Sequence, residues 1–191
     1  TEKEKDEVTR FVINCVAGRL PIVLGVGGNN TKAVVEKLKK FEYNGVDAIL
    51  SVTPYYNKPS QEGLYQHYAA IAKASPLPVI LYNVPGRTVA DMSNDTALRL
   101  AEIPNVVGIK DATGNIDRGC ELIARAPKGF SVYSGDDSSA CALLLLGAQG
   151  NISVVANVLP AEMHRLTALC LANDFSAAGR LQLKLKPLCD A

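Results

Sequence analysis

The chain has 191 residues, 48% hydrophobic and 20% charged, with 20 Lys+Arg set against 19 Asp+Glu for a net charge of +1; this is the make-up of one globular domain and excludes a disordered or fibrous chain. No basic field points to nucleic acid, so a small-molecule partner is favoured. The longest strongly apolar stretch, residues 140–148, is too short to span a bilayer, so no membrane anchor is expected.

The chain opens Thr1-Glu2-Lys3-Glu4-Lys5-Asp6-Glu7 with no apolar segment of a secretory signal behind it, which predicts a cytoplasmic location. Val8, Phe11, Val12, Cys15 and Val16 then recur with helical spacing up to Gly18. A β-branched run over 21–25 predicts a buried strand, and Val34, Leu38 and Phe41 predict a helix from Thr31 ending at Gly45. A strand over 48–52 follows. Ser60 caps a helix carrying Leu64, His67, Tyr68 and Ile71, closed by Ser75-Pro76. Strands over 78–82, 106–110, 130–134 and 151–155 alternate with helices after Ser93, Asn115, Asp137 and Pro160. The strand starts lie 21 to 30 residues apart, the period of a βα repeat.

Cys15, Cys120, Cys141, Cys170 and Cys189 are odd in number, scattered and without a C-x-x-C pair, and are expected to be buried thiols. His67 and His164 are the only histidines and stand in no ligand-spaced cluster, so no catalytic metal is expected.

Near-continuous apolar strands between helices predict a parallel sheet covered on its faces. Two architectures satisfy this: a doubly wound sheet of six strands, and a TIM barrel, which needs eight βα units. Polar strand ends such as Gly27-Gly28-Asn29-Asn30, Tyr55-Tyr56-Asn57, Tyr82-Asn83 and Gly135-Asp136-Asp137 favour a barrel, whose loops gather at one face. The rival dinucleotide fingerprint, Gly25-Val26-Gly27-Gly28-Asn29-Asn30, lacks its third glycine, and Asp47 starts the next strand rather than ending it.

Lys110 ends the apolar run Val106-Val107-Gly108-Ile109. Such a lysine is often a surface cation, but at a barrel strand's carboxyl end it points into the mouth. As a Schiff-base nucleophile it must be neutral; at a reference pKa of about 10.4 only about 1 in 2,500 is neutral at pH 7, so burial has to lower it. Tyr82 ends the preceding strand, about 5 Å away across a parallel sheet, with a phenol that can donate and accept a proton.

The segments Thr53-Pro54-Tyr55-Tyr56-Asn57, Tyr82-Asn83-Val84-Pro85-x-Arg87-Thr88, Gly108-Ile109-Lys110-x-Ala112-Thr113-Gly114 and Ser134-Gly135-Asp136-Asp137, in this order, resemble the dihydrodipicolinate synthase family. That family lies within a wider group of pyruvate-dependent class I aldolases related to N-acetylneuraminate lyase. The resemblance implies a (β/α)8 TIM barrel in which the strand at 21 is the third. Residues 1–191 are then one partial barrel domain holding strands three to eight, without the first two strands and the C-terminal helices beyond the barrel.

The resemblance further implies that Lys110 forms an imine with pyruvate and that Tyr82 and Tyr56 relay protons, Tyr56 reaching into a neighbouring subunit of a homodimer that pairs into a tetramer. Arg87 would hold the carboxylate of L-aspartate-4-semialdehyde. Gly135 and Ile152 would line the pyruvate pocket, Ile152 through its backbone. The implied product is 4-hydroxy-tetrahydrodipicolinate, on the route to diaminopimelate and lysine, with no cofactor beyond the imine. The family's relay threonine, in a Gly-Thr-Thr-Gly-Glu segment, has no match here. Positions matching a lysine-feedback site are Asn29 and Tyr55, with Ala33 where sensitive members can carry glutamate. Two other readings stand beside this one: a pyruvate-dependent sugar-acid aldolase, which Arg87 would discriminate, and a non-catalytic open barrel, suggested by the count of six strands.

Overall fold

In the computed structural model, which describes residues 1–40 and 42–190, helix and strand alternate along the chain. Thr1 caps helix α1 (Glu2–Val16) in a reciprocal box with Glu4, and Ala17 in the left-handed region ends it. Strand β1 (Val23–Gly25) leads to α2 (Thr31–Lys40), and β2 (Ala48–Val52) leads to α3 (Gln61–Ala74). Strand β3 (Val79–Asn83) is followed by the single turn α4 (Pro85–Thr88) and by α5 (Asn94–Leu100). Then come β4 (Val106–Asp111), α6 (Ile116–Arg125), β5 (Ser131–Ser134), α7 (Ala140–Leu145) and β6 (Gly150–Asn151). A 3-10 turn over Val155–Asn157 precedes α8 (Pro160–Leu171) and α9 (Phe175–Cys189). Phe41, expected in the second helix, lies outside the described residues. Ser60, Ser93 and Asn115 cap α3, α5 and α6 by accepting the N–H of Gly63, Thr96 and Arg118.

All six strands are parallel and lie in the order β1-β2-β3-β4-β5-β6, each beside its sequence neighbour. A doubly wound sheet reverses direction at a switch point; this one runs one way without reversal, as consecutive strands of a TIM barrel do. Among the described residues it has no switch point of the kind at which a doubly wound sheet holds a dinucleotide. Asp47 accepts the N–H of Ile22 (2.7 Å), tying the first strand to the second, where a ribose-binding acid would be free.

Ile49, Val79, Leu81, Ile109 and Val132 alternate along the strands and pack outward on Leu38, Leu64, Tyr68, Ile71, Leu100 and Leu122. Burying each large aliphatic side chain contributes about 1.5–3 kcal/mol. A second core joins α7, α8 and α9 through Leu144, Met163, Leu166, Cys170, Ala178 and Leu185. Because side chains alternate, the residues between the outward ones, among them Leu50, Tyr82 and Lys110, face the concave side. Among the described residues no helix is long and apolar enough to cross a membrane.

Four details differ from expectation. The last strand has two residues instead of the run to Val155, because the Asp137 carboxylate accepts the N–H groups of Val154 (2.9 Å) and Val155 (3.0 Å) and turns the chain out of the sheet. β1 is an edge strand with Val23 exposed, not a buried one. The apolar stripe of α1 faces solvent, with Val8 and Phe11 61% and 68% exposed, while Thr9 and Ile13 turn inward and Ile13 packs against Gly45 (φ +83°). Of the cysteines only Cys141 and Cys170 are buried; Cys15 and Cys120 lie on the solvent sides of α1 and α6.

Candidate active site

Val52, Tyr82, Lys110, Tyr133 and Gly150 are successive partners across β2 to β6 and therefore share the concave face in one row. Lys110 is the charged member of that row and is only 8% exposed. Its Nζ stands 4.4 Å from the centroid of the Tyr82 ring. Burial holds its pKa below the ordinary 10.5, against the opposing pull of the Asp137 carboxylate. Burial pushes the Tyr82 phenol up, partly offset by the Arg87 charge, so at neutral pH the phenol carries its proton and can donate it.

Gly135 packs directly on the lysine stem. A Cβ there would lie 2.7 Å from Lys110 Cε and 2.8 Å from Ala112 Cβ, closer than a side chain can sit. Its N–H donates to Asp111 O (2.7 Å), fixing the end of β5 beside the end of β4. Ile152 continues past β6 by donating its N–H to Ser134 O (2.9 Å). That segment is anchored by Asp137: burial alone would raise its pKa, but hydrogen bonds from Ser153, Val155 N–H, Asn151 and Val154 N–H outweigh burial and hold it below the usual carboxylate value.

Arg87 lies exposed on α4, where its charge reaches Tyr82. Buried Thr88 ties that turn to Thr53 after β2 (Oγ1 to Oγ1 3.2 Å). Tyr56 is 86% exposed, with φ +72° and its N–H donating to Thr88 O (3.1 Å). Holding a tyrosine in that region costs on the order of 1–3 kcal/mol, a strain that concentrates at functional loops. Lys110, Tyr82 and Gly135 thus meet, the Ile152 N–H bonds to the residue before Gly135, and Arg87 and Tyr56 lie exposed on the segments after β3 and β2.

Asn29 and Tyr55 also come together, Asn29 Nδ2 donating to Tyr55 O (3.2 Å). They line a cavity of about 1060 Å³ between α1, α2 and the loop after β1, apart from the Lys110 row. Sequence reasoning missed Tyr133, the partner of Lys110 on the side opposite Tyr82, whose ring lies over Gly150. Its signal was parity: Tyr133 stands one residue after outward-facing Val132, as Lys110 stands one after Ile109. Asp137 was read as part of a polar strand end and motif and as the start of a helix, with no role of its own.

The model of the Dihydrodipicolinate synthetase family matches residues 1–191. The chain is 58% identical over 177 residues to the 4-hydroxy-tetrahydrodipicolinate synthase of Nitrosomonas europaea, covering 92% of this chain and 60% of that protein. It is 55% identical over 182 residues to the enzyme of the same name from Azoarcus sp. (strain BH72), covering 95% of this chain and 62% of that one. The crystal structure of the chloride-inhibited dihydrodipicolinate synthase from Acinetobacter baumannii complexed with pyruvate superposes with a TM-score of 0.96 at 53% identity, over 100% of this chain and 65% of that one. The chain spans roughly three fifths of the length of the curated relatives it matches, 60% and 62% for the two named here. With its parallel, sequentially ordered arc and the full-length family match, the chain belongs to the dihydrodipicolinate synthetase family.

Proposed function

We propose that the protein carrying this chain condenses pyruvate with L-aspartate-4-semialdehyde through an imine on Lys110, giving 4-hydroxy-tetrahydrodipicolinate on the route to diaminopimelate and lysine in the cytoplasm. The observation that carries this reading is the buried amine of Lys110 beside the phenol of Tyr82, at the carboxyl ends of adjacent parallel strands. The neutral amine adds to C2 of pyruvate and water leaves, forming the imine. Loss of a C3 proton gives the enamine, whose C3 bonds to the aldehyde carbon of the second substrate while the aldehyde oxygen takes up a proton. The substrate's own amine then adds at C2 and displaces Lys110, closing the ring. C2 of pyruvate is the electrophile when the imine forms and when the ring closes, and the lysine imine is the electron sink that makes C3 a nucleophile toward the aldehyde, so no further cofactor is invoked.

Tyr82 is the proton donor and acceptor nearest the imine, and Tyr56, projecting into solvent, relays protons at the site of a neighbouring copy in a dimer of dimers. Arg87 at the rim binds the semialdehyde carboxylate with its planar fork. Gly135 leaves room for the lysine stem, and the backbone of Ile152 borders the adduct.

The test is reduction with borohydride in the presence of pyruvate, followed by mass measurement and peptide mapping. One reduced pyruvate on the peptide holding Lys110, absent in Lys110→Ala, is the expected result. An adduct that persists in Lys110→Ala places the nucleophile elsewhere and overturns the assignment.

A further inference from the structure

On the helix side of the sheet, directly behind the row that holds Tyr82 and Lys110, hydrogen bonds close a ring through the residues that follow these two in sequence. Asn83 and Asp111 are partners across β3 and β4, and both are buried. Asn83 accepts the N–H of Met92 at Oδ1 (3.0 Å) and donates through Nδ2 to Asp91 Oδ1 (2.8 Å). Arg118, in the first turn of α6, donates through Nη2 to Met92 O (2.5 Å) and through Nε to Asp111 Oδ2 (2.5 Å). Its Nη1 lies 3.8 Å from Asp91 Oδ1. The second oxygen of Asp111 accepts the N–H (2.9 Å) and hydroxyl (2.6 Å) of Thr113, and Asn115 accepts the N–H of Arg118 (3.0 Å). The ring therefore runs from Asn83 through Asp91 and Met92 to Arg118, to Asp111, and back across the sheet.

Successive residues of a strand point to opposite faces, so fixing residues 83 and 111 on the outer face fixes the direction of residues 82 and 110 on the inner one. The side chains of Arg118 and Asp111 are 13% and 3% exposed. A charge pair buried this deeply contributes little to stability compared with apolar packing of the same volume, so stability alone is a weak reason for it. Held by bonds in several directions, it suits the alignment of a reacting pair.

We propose that Arg118 is a positioning residue for imine formation: its guanidinium locks the ends of β3 and β4 so that the Lys110 amine stays over the Tyr82 ring. This rests on the reading of Lys110 as the imine-forming residue. In this ring Arg118 is the side chain that joins Asp111, at the end of β4, to the Asp91-Met92 segment that Asn83 holds at the end of β3. Thr113 and Asn115 complete the arrangement by saturating Asp111 and seating the start of α6.

The experiment compares the full-length protein with its Arg118→Gln and Arg118→Lys variants. It reads the rate of borohydride-trapped adduct at saturating pyruvate, the pyruvate concentration giving half that rate, and the melting temperature. In Arg118→Gln the saturated trapping rate is expected to fall on the order of 100-fold, the loss that a displacement of about 1 Å can cause, with half-saturation moved far less. Arg118→Lys is expected to recover part of the rate, because an ammonium restores one bond and the charge but not the fork. Trapping at the parent rate in either folded variant, whatever its melting temperature, overturns the positioning role; if Arg118→Gln does not fold, Arg118→Lys alone decides on the same terms. Absence of any adduct on Lys110 of the parent overturns the imine reading and this role with it, whereas an adduct in the parent and indifferent variants overturn only the role of Arg118.

Discussion

The ammonium nitrogen of Lys110 stands 4.4 Å from the centre of the Tyr82 ring, and the two residues are register partners across β3 and β4. Their spacing is set by the backbone pairing of the sheet, not by a hydrogen bond between the side chains. The ring and the hydroxyl of Tyr82 can therefore be separated experimentally. Tyr82→Phe keeps the ring over the lysine, so folding stability should change by less than about 1 kcal/mol, within the range of ordinary substitutions. Condensation should slow by roughly 100- to 10,000-fold if the phenol transfers protons. Steady-state assays beside chemical unfolding check both; an undiminished turnover number would remove Tyr82 from the relay.

Burial lowers the pKa of Lys110 below 10.5. The rate of imine formation should accordingly rise with pH and level off before 10.5, since only the neutral amine attacks. The unfolded chain holds this proton to higher pH than the folded one, so this group's contribution to stability increases as pH rises from the folded value to the unfolded value. Lys110→Met, which removes a buried cation, should lose the adduct while melting no lower than the parent at neutral pH. Quenched trapping across neutral to alkaline pH and thermal melts of the variant measure these two effects. A plateau reached only above 10.5 would show that the lysine is not depressed.

Gly135→Ala places a methyl 2.7 Å from Lys110 Cε and 2.8 Å from Ala112 Cβ. The lysine stem must move or the strand ends must part. Overpacking of this kind costs about 1–3 kcal/mol. Adduct yield should drop sharply in a variant that still folds, and a peptide map with the parent's yield on Lys110 would show that the stem tolerates the methyl group.

His67 is a buried residue of α3, its Nδ1 2.8 Å from the Thr31 hydroxyl and its Nε2 without a partner among the described residues. Burial pulls its pKa from 6.5 to about 4. The folded state thus holds the ring neutral where the unfolded chain protonates it. This contribution to stability is complete above 6.5 and is lost as pH falls toward about 4, at roughly 1.4 kcal/mol per pH unit. Urea unfolding at a series of acidic pH values should show this slope, and His67→Gln should flatten it; an equal slope in the variant would assign the acid loss to other groups.

Much of this architecture was readable before folding. The β-branched runs and the caps at Ser60, Ser93 and Asn115 mark elements through contacts within a few residues, which a linear sequence displays. The choice between barrel and doubly wound sheet was not readable from the strands, because both bury apolar strands between helices; it came from the polar strand ends and the motifs around Lys110. The end of β6 was misread because Val154 and Val155 are good strand residues whose N–H groups are claimed by Asp137, 18 residues before Val155. The α1 stripe was legible as a pattern, but its direction depends on what packs against it, and Ile13 rather than Phe11 meets Gly45.

The sequence by itself determined which residues could do the chemistry: a lysine ending an apolar strand, a tyrosine ending the one before it, and a glycine after a third. Local propensity and alternation decide those placements, and both are written into neighbouring residues. Only the tertiary structure decided that Lys110 and Tyr82 are register partners, that Tyr133 flanks the lysine on its other side, and that Arg118 bonds from behind to Asp111 and to the Met92 carbonyl. Those relations join residues 7 to 28 positions apart along the chain, and nothing short of sheet pairing and helix packing brings them into contact.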